Sequence, residues 1–176
     1  MDVFPQSQVS YGGNQACTSC AVLAACTYAD ASPIDAELVL QTGASMWVKR
    51  GNDRSEDASE ILFAEPFFER TYTTSSWQCS EKGVAGTATI CDIGAELERA
   101  RPSGVVVTDG IISFAGGHDA RGMWFIFDSH APNARQWRID SRAEWESKAV
   151  SLLVRTTTYD CTVFNRRVVR EDSATW

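Results

Sequence analysis

The chain of 176 residues is 44% hydrophobic and 10% aromatic, and its formal net charge is −7 at pH 7. This length and composition predict one globular domain over residues 1–176, and the acidic balance argues against nucleic acid as a partner, because phosphate contacts need clustered Lys and Arg. Because no apolar run reaches the roughly 18 residues of a membrane helix and the first residues lack the pattern of a signal peptide, we expect an intracellular protein without membrane contact.

The first half of the chain predicts helices. The small apolar residues 17–29 follow a turn-forming Gly-Gly-Asn at 12–14, a pattern that indicates a buried helix with Cys17 near its N-terminus. A second helix is predicted to begin with Ser32 as its N-cap, followed by Pro in the first helical position, and to run to about residue 49.

The middle of the chain is less regular. The charged residues 51–60 predict a surface loop that leads into a short helix, which Pro66 should end. Residues 67–86 show no period and predict a loop with short strands at most. Apolar spacing over 93–100 indicates a further helix that ends before Pro102.

The second half predicts strands. Between the first two apolar runs, Asp109-Gly110 is typical of a type I′ hairpin turn. The four predicted strands are 105–108, 111–114, 123–128 and 151–156. Helices first and strands second predict an α+β domain in which a helical N-terminal part packs on an antiparallel sheet.

The chain has two histidines, and they differ in context. His118 lies in a Gly-Gly-His-Asp turn pattern, where an exposed side chain is expected. His130 follows the third strand as Asp128-Ser129-His130, and side chains two residues apart on a strand point to the same face. A carboxylate in that position can orient an imidazole towards a nucleophile, although the pair also fits a solvated strand end.

Cys17 is the candidate nucleophile. A cysteine attacks as its thiolate, which a neighbouring imidazolium and a helix N-terminus both stabilise. A small cysteine in the core would explain the same position without chemistry. If the fold brings Cys17 to His130 and Asp128, the three form a catalytic triad.

These segments resemble the deubiquitinating domain at the N-terminus of herpesvirus large tegument proteins and tegument-like deubiquitinases outside the viruses. The family's Gly-x-Gln-Cys before an apolar helix is similar to residues 13–17, and its Phe-Asp-Pro-His signature is similar to residues 127–130. The family's Thr-Asp-Gly turn is matched at 108–110, and its helix with Leu-Asp, Leu and Gly-Ala is similar to Ile34-Asp35, Leu38 and Gly43-Ala44. The resemblance extends from about residue 6 to about residue 132 and is weak in the middle.

The resemblance implies a papain-like cysteine protease fold with Cys17 as nucleophile, Asp128 as acid and His130 as base. The family's oxyanion-hole Gln precedes a spaced aromatic-Gly pair, and Gln6 before Tyr11-Gly12 fits that spacing best, with Gln8 as its rival.

Three departures from the family pattern bear on these assignments. An inserted Ala16 leaves Cys20 as a lesser candidate nucleophile. Ser129 replaces the usual Pro, and residues 111–122 look like an insertion before the His strand.

The implied activity is hydrolysis of the isopeptide bond after the Gly-Gly end of ubiquitin. We expect ubiquitin or polyubiquitin chains as partners, no metal or organic cofactor, and a monomer located in a host cytoplasm or nucleus if the protein is viral or a secreted effector. Another modifier such as NEDD8 or SUMO remains an alternative substrate. The abrupt chain ends favour a domain cut from a longer protein.

Other functions use the cysteines differently. Cys17-x-x-Cys20 at a helix start also fits a thiol-disulfide redox protein, which would need a strand directly before the motif. A structural zinc site would add two of Cys79, Cys91 and Cys161, which lack short ligand spacing. A binding module with this fold and no activity is a further possibility. With six cysteines and no need for disulfides at this length, we predict reduced thiols.

Overall fold

The computed structural model describes residues 1–51 and 53–168. Within these ranges the helices are α1 (Cys17–Ala29), α2 (Ala36–Lys49), α3 (Ala58–Ala64), α4 (Phe67–Thr71), α5 (Ile90–Arg99) and α6 (Arg142–Leu152), with a 3-10 helix at Gln8–Tyr11. The strands are β1 (Asp2–Val3), β2 (Tyr72–Cys79), β3 (Ser103–Thr108), β4 (Ser113–His118), β5 (Trp124–Asp128), β6 (Arg135–Ile139) and β7 (Tyr159–Arg166). None of the helices in the described ranges is both long and apolar enough to cross a membrane.

The strands form one sheet in the order β1-β6-β5-β4-β3-β7-β2, and each pair of neighbouring strands is antiparallel. The registers bring Thr108 opposite both Ser113 and Asp160. The end of β3, the start of β4 and the start of β7 therefore lie side by side at one end of the strands. Strand β5 also finishes at this end of the sheet, with Asp128.

Hydrophobic side chains cover both faces of the sheet. Helices α1, α2 and α3 pack on one face, where Val106, Phe127 and Phe164 point towards them. Helices α5 and α6 pack on the other face, where Trp145 is fully buried. The predicted α+β class with helices packed on an antiparallel sheet is confirmed.

Helix α1 lies against the middle of the sheet at very short range. A Cβ atom on Gly104 would lie 1.9 Å from the carbonyl oxygen of Ala25, and one on Gly117 would lie 2.5 Å from Cβ of Tyr28. Any larger residue at these two strand positions would push the helix away. The close packing fixes the position of α1, and with it the position of Cys17 at its first turn.

Helices α1 and α5, the end of α3 before Pro66 and the strand over 123–128 are confirmed. The predicted start of α2 is wrong. The helix begins at Ala36, and Asp35 is the N-cap, since its carboxylate accepts a hydrogen bond from the backbone N–H of Leu38.

The predicted hairpin of two adjacent antiparallel strands is confirmed. Its second strand begins at Ser113 rather than at residue 111, and the predicted turn is wrong. A type I′ turn needs positive φ at both central residues, whereas Gly110 has φ of 85° and Asp109 does not share it. The four-residue loop 109–112 closes instead through the Asp109 carboxylate, which accepts hydrogen bonds from Ile111 and Ile112.

The predicted fourth strand over 151–156 is wrong. These residues are the end of α6 and the loop after it, and the apolar Leu153 is buried against the core rather than paired in the sheet. The strand that follows is β7, next to β3. Residues 67–86, for which the sequence predicts mainly loop, contain α4 and the eight-residue edge strand β2.

The prediction of an exposed His118 in a turn is also wrong. His118 is the last residue of β4, only 2% exposed, and its ring stacks on Trp124 with 4.0 Å between centroids. The glycines before it are strand residues. They are small because Tyr28 and Trp145 approach them from opposite faces of the sheet.

Candidate active site

Cys17 is the first residue of α1, and its side chain is 3% exposed. The first N–H groups of a helix have no partner within the helix, so the sulfur lies where the helix stabilises negative charge. The imidazole of His130 lies close enough to interact with the thiol, and it lowers the pKa of Cys17. The structure thus brings together two residues that are far apart in sequence.

Asp128 and His130 lie side by side at the end of β5. Nδ1 of His130 forms a short hydrogen bond with Oδ1 of Asp128, and the same carboxylate oxygen accepts the backbone N–H of His130 at 3.0 Å. These two bonds fix the ring, so its second nitrogen is the one that faces Cys17. The three predicted triad residues are adjacent in the order thiol, imidazole, carboxylate.

The electrostatics of the trio favour an ion pair. Burial alone would raise the pKa of Cys17, but the hydrogen bond from His130 and its positive charge outweigh burial, and the pKa is lowered. Burial opposes protonation of His130 as well, yet the hydrogen bonds to Asp128 and Cys17 raise its pKa to about 10. The lowered pKa of Cys17 and the raised pKa of His130 both favour the pair of a thiolate and an imidazolium over the neutral pair.

Asp128 stays ionised for a similar reason. Burial would raise its pKa, but the hydrogen bond and charge of His130, followed by the charge of Arg135 on the neighbouring strand, lower it. The side chains of Asp128 and His130 are 23% and 30% exposed. Solvent therefore reaches these side chains more readily than it reaches the sulfur of Cys17.

Two serines that the sequence analysis does not single out also contact the sulfur. Oγ of Ser55 lies 3.7 Å from Sγ of Cys17. Ser113 lies 2.8 Å from Oγ1 of Thr18, the residue after Cys17, and its hydroxyl helps to lower the pKa of the thiol. Ser55 follows α2 and Ser113 begins β4. No local motif marks either serine, because both reach Cys17 only through the tertiary fold.

The loop that carries Ser55 is anchored at several points. Nε1 of Trp47 donates to the carbonyl oxygen of Arg54 at 2.9 Å. Glu56 is buried and receives the guanidinium of Arg50 at 2.7 to 3.0 Å. The same guanidinium donates to the hydroxyl of Ser19 in α1 at 2.6 Å. The loop is thereby tied to the helix that bears Cys17.

The two candidate oxyanion donors differ in position. Gln8 is 3% exposed, accepts the hydroxyl of Ser129 at 2.7 Å and donates through Nε2 to the carbonyl oxygen of Asn14 at 3.3 Å. Gln6 is exposed, and its amide oxygen accepts the hydroxyl of Tyr11. Since Ser129 lies between Asp128 and His130, the structure places Gln8 beside the trio and Gln6 at the surface.

Cys20, the lesser candidate nucleophile, lies one turn further along α1 and is fully buried. Burial, with the nearby charge of Cys17, raises its pKa to about 12. A sulfur that is protonated and enclosed is a poor nucleophile at neutral pH. Of the two cysteines, the geometry favours Cys17.

The other cysteines do not join this site. Cys79 and Cys161 are buried on the opposite face of the sheet, and Cys91 is exposed on α5. All six cysteines lie in the described ranges and are free. Among the residues that the structure describes, no three His, Cys, Asp or Glu side chains group as metal ligands. The redox alternative expects a strand before Cys17, where the structure has a 3-10 helix.

No protein-family model and no curated protein sequence matches this chain. Among solved structures, the chain is similar to the ubiquitin-specific protease encoded by a murine cytomegalovirus tegument protein, determined in complex with a ubiquitin-based suicide substrate. The TM-score is 0.64 over 99% of this chain and 90% of the viral one, at 18% sequence identity. The chain therefore has a mixed helix and antiparallel-sheet fold similar to that of a viral ubiquitin-specific protease.

Proposed function

We propose that this chain is a deubiquitinase of the papain-like type, related to the herpesvirus tegument proteases, with Cys17 as nucleophile, His130 as general base and acid, and Asp128 as orienting carboxylate. One observation carries the proposal: the Cys17 thiol at the N-terminus of α1 lies beside a histidine that a carboxylate holds. The fold similarity to a ubiquitin-specific protease supports the substrate class.

In the proposed reaction, the Cys17 thiolate attacks the carbonyl carbon of the terminal Gly of ubiquitin, and a C–S bond forms. The imidazolium of His130 gives its proton to the leaving lysine amine as the C–N bond breaks. Neutral His130 then takes a proton from water, which attacks the thioester and releases the ubiquitin carboxylate and the thiolate. Asp128 keeps the ring oriented in both steps.

The oxyanion of the tetrahedral intermediate needs hydrogen-bond donors close to Cys17. We propose Gln8 rather than Gln6 for this role. One N–H of the Gln8 side chain donates to Asn14, and an amide nitrogen carries a second proton that can serve the oxyanion. The unpartnered N–H groups at the start of α1 supply further donors.

The shape of the site fits a substrate that ends in Gly-Gly. The Cys17 sulfur is nearly enclosed by the Ser55 loop on one side and His130 on the other. An extended chain without side chains reaches such a sulfur most easily. The chain's net charge of −7 also complements the basic residues that precede Gly-Gly in ubiquitin.

We further propose that residues 1–176 act as a single monomeric protease domain inside cells, where ubiquitin and its conjugates are found. The triad supplies nucleophile, base and acid, so the proposed chemistry uses no metal or organic cofactor. Ubiquitin or polyubiquitin is the proposed partner.

The test is incubation with a ubiquitin probe that carries a C-terminal electrophile, followed by intact-mass measurement. We expect a single ubiquitin adduct in the wild type and in Cys91→Ala, a control that removes an exposed cysteine remote from the trio. Cys17→Ala should give no adduct while remaining folded. An adduct that persists in Cys17→Ala would overturn the nucleophile assignment.

Matching probes made from NEDD8 and SUMO decide the modifier. Faster labelling by one of them than by ubiquitin would transfer the substrate assignment to that modifier. No labelling by any probe, in a folded wild type, would contradict the protease function.

A further inference from the structure

The Cys17 sulfur has two hydroxyl neighbours beyond the trio. Ser55 approaches from the loop between α2 and α3, with its oxygen 3.7 Å from the sulfur. Ser113 lies at the start of β4, is 1% exposed, and its hydroxyl helps to lower the pKa of Cys17. Among the described residues, two serine hydroxyls therefore act on the sulfur in addition to His130.

Ser113 is oriented by a second hydroxyl. Its oxygen lies 2.8 Å from Oγ1 of Thr18, the residue after Cys17 in α1. A hydroxyl has one proton, so Ser113 can donate to the sulfur when it accepts a hydrogen bond from Thr18. When Thr18 is the donor in this bond, the proton of Ser113 is available to Cys17.

Ser55 is oriented by the loop itself. The adjacent Glu56 is buried and ion-paired with Arg50, which also bonds Ser19 in α1. These contacts connect the loop to the first turn of α1, so the distance between Ser55 and Cys17 is set by a buried pair rather than by a free loop.

We infer that Ser55 and Ser113 are positioning residues that donate hydrogen bonds to the Cys17 sulfur and hold it as a thiolate. The physical need is clear, since a buried anion is costly unless several donors surround it, and a single imidazolium supplies one. The assignment rests on the proposed function only in taking Cys17 as the nucleophile. It adds two residues that resemblance and local sequence do not indicate.

The test is the pH dependence of Cys17 alkylation by iodoacetamide, measured by mass spectrometry of the Cys17 peptide. The thiolate displaces iodide and the thiol does not, so the midpoint of the rate reports the pKa of Cys17. We expect the midpoint to rise by about 1 pH unit in Ser113→Ala and by about half a unit in the more exposed Ser55→Ala. The double variant should shift further.

Controls separate this role from general loosening of the fold. Ser103→Ala removes a fully buried serine at the far end of the sheet, whose hydroxyl donates to the carbonyl oxygen of Leu97. It should leave the Cys17 midpoint unchanged. Ser55→Thr keeps the hydroxyl, so its midpoint of Cys17 alkylation should stay close to that of the wild type. The exposed Cys91 is an internal reference for reagent concentration in every sample.

An unchanged midpoint in both single variants and in the double variant would overturn the inference. If Ser113→Ala does not fold, Thr18→Val is the substitute, because it keeps the Ser113 hydroxyl but removes its hydrogen-bond partner. We expect Thr18→Val to raise the midpoint of Cys17 alkylation. No rise in either Thr18→Val or Ser55→Ala would then overturn the inference. Iodoacetamide needs no ubiquitin, so this outcome is distinct from failure of the ubiquitin probe.

Discussion

The first and second turns of α1 present the same side chain in opposite environments. Cys17 meets His130 and two serine hydroxyls, and its pKa is lowered. The side chain of Cys20 points from α1 towards α2, and burial raises its pKa to about 12. The two residues share type, helix and solvent exclusion. Burial raises the pKa of both thiols, so the difference comes from the partners: His130 and the serine hydroxyls outweigh burial at Cys17, whereas Ser129 does not outweigh it at Cys20.

Tertiary packing creates this contrast. The first turn of α1 reaches the end of the sheet where β5 finishes and β4 begins. His130, just after β5, and Ser113, at the start of β4, therefore lie near Cys17. The second turn lies under α2, where Gly43 leaves room for Cys20 and little else. One helical turn thus separates a reactive site from core packing, and substitutions on each side should have different consequences.

Removing His130 should have the largest effect on the difference between Cys17 and Cys20. In His130→Ala the thiolate loses its main partner and the leaving amine loses its proton donor, so we expect kcat/KM to fall about 1,000-fold. The assay is hydrolysis of a fluorogenic C-terminal ubiquitin amide. Cys17 should then resemble Cys20, with its alkylation midpoint moved well to higher pH.

The second histidine is the control. His118 is buried against Trp124, so His118→Gln should lower the melting temperature without lowering kcat per folded molecule. A loss of kcat in His118→Gln that matches the loss in His130→Ala would argue against the assigned base.

Substitution of the carboxylate should weaken the contrast without abolishing it. Asp128→Asn keeps the shape but removes the carboxylate, whose hydrogen bond and charge act with Cys17 against burial to raise the pKa of His130 to about 10. The active ion pair is lost as pH rises through the pKa of His130, so the alkaline limb of the kcat/KM profile should move to lower pH. The acid limb should move to higher pH, because a less protonated His130 stabilises the thiolate less.

The size of that effect distinguishes orientation from binding. We expect kcat to fall about 100-fold in Asp128→Asn, and Asp128→Ala to lower turnover far more than affinity for ubiquitin. Equal losses in turnover and affinity, or a pH profile that does not narrow, would contradict an orienting role.

Local patterns suffice for part of this site. Asp128 and His130 are recognisable because the two-residue period of a strand places them on one face, and Cys17 because turn residues precede a small apolar helix. The positions of Ser55 and Ser113, and the proposed choice of Gln8 over Gln6, depend on which loops meet at this end of the sheet. No short-range pattern contains that information.

The same limit explains the errors in the fold. The glycines before His118 are typical of a turn, yet they lie in a central strand because Tyr28 and Trp145 need the space above and below. Strand β2 is mostly exposed and rich in Thr and Ser, so its edge position hides the period that marks a strand. The apolar end of α6 has the composition of a strand although it packs as a helix end.

A larger side chain next to Cys20, in the second turn of α1, should lower the stability of the fold and leave the activity unchanged. In Gly43→Ala the new Cβ would lie 2.5 Å from Sγ of Cys20 and 3.0 Å from its Cα. We expect a loss of about 1–3 kcal/mol in the free energy of unfolding, measured by denaturant titration. Gly43→Ala combined with Cys20→Ala should recover part of that loss, and no recovery would mean that the sulfur is not the atom in the way.

Removal of the Cys20 sulfur should have the smallest effect. Cys20→Ala is also the best-matched control for Cys17→Ala, because it makes the same substitution one helical turn away. Cys20→Ala removes a fully buried sulfur, so we expect a loss of about 1 kcal/mol in the free energy of unfolding. Its kcat/KM and its labelling by the ubiquitin probe should stay within about twofold of wild type. A Cys20→Ala variant that folds but is not labelled would show that the second turn takes part in the chemistry, and the contrast between the two cysteines would then fail.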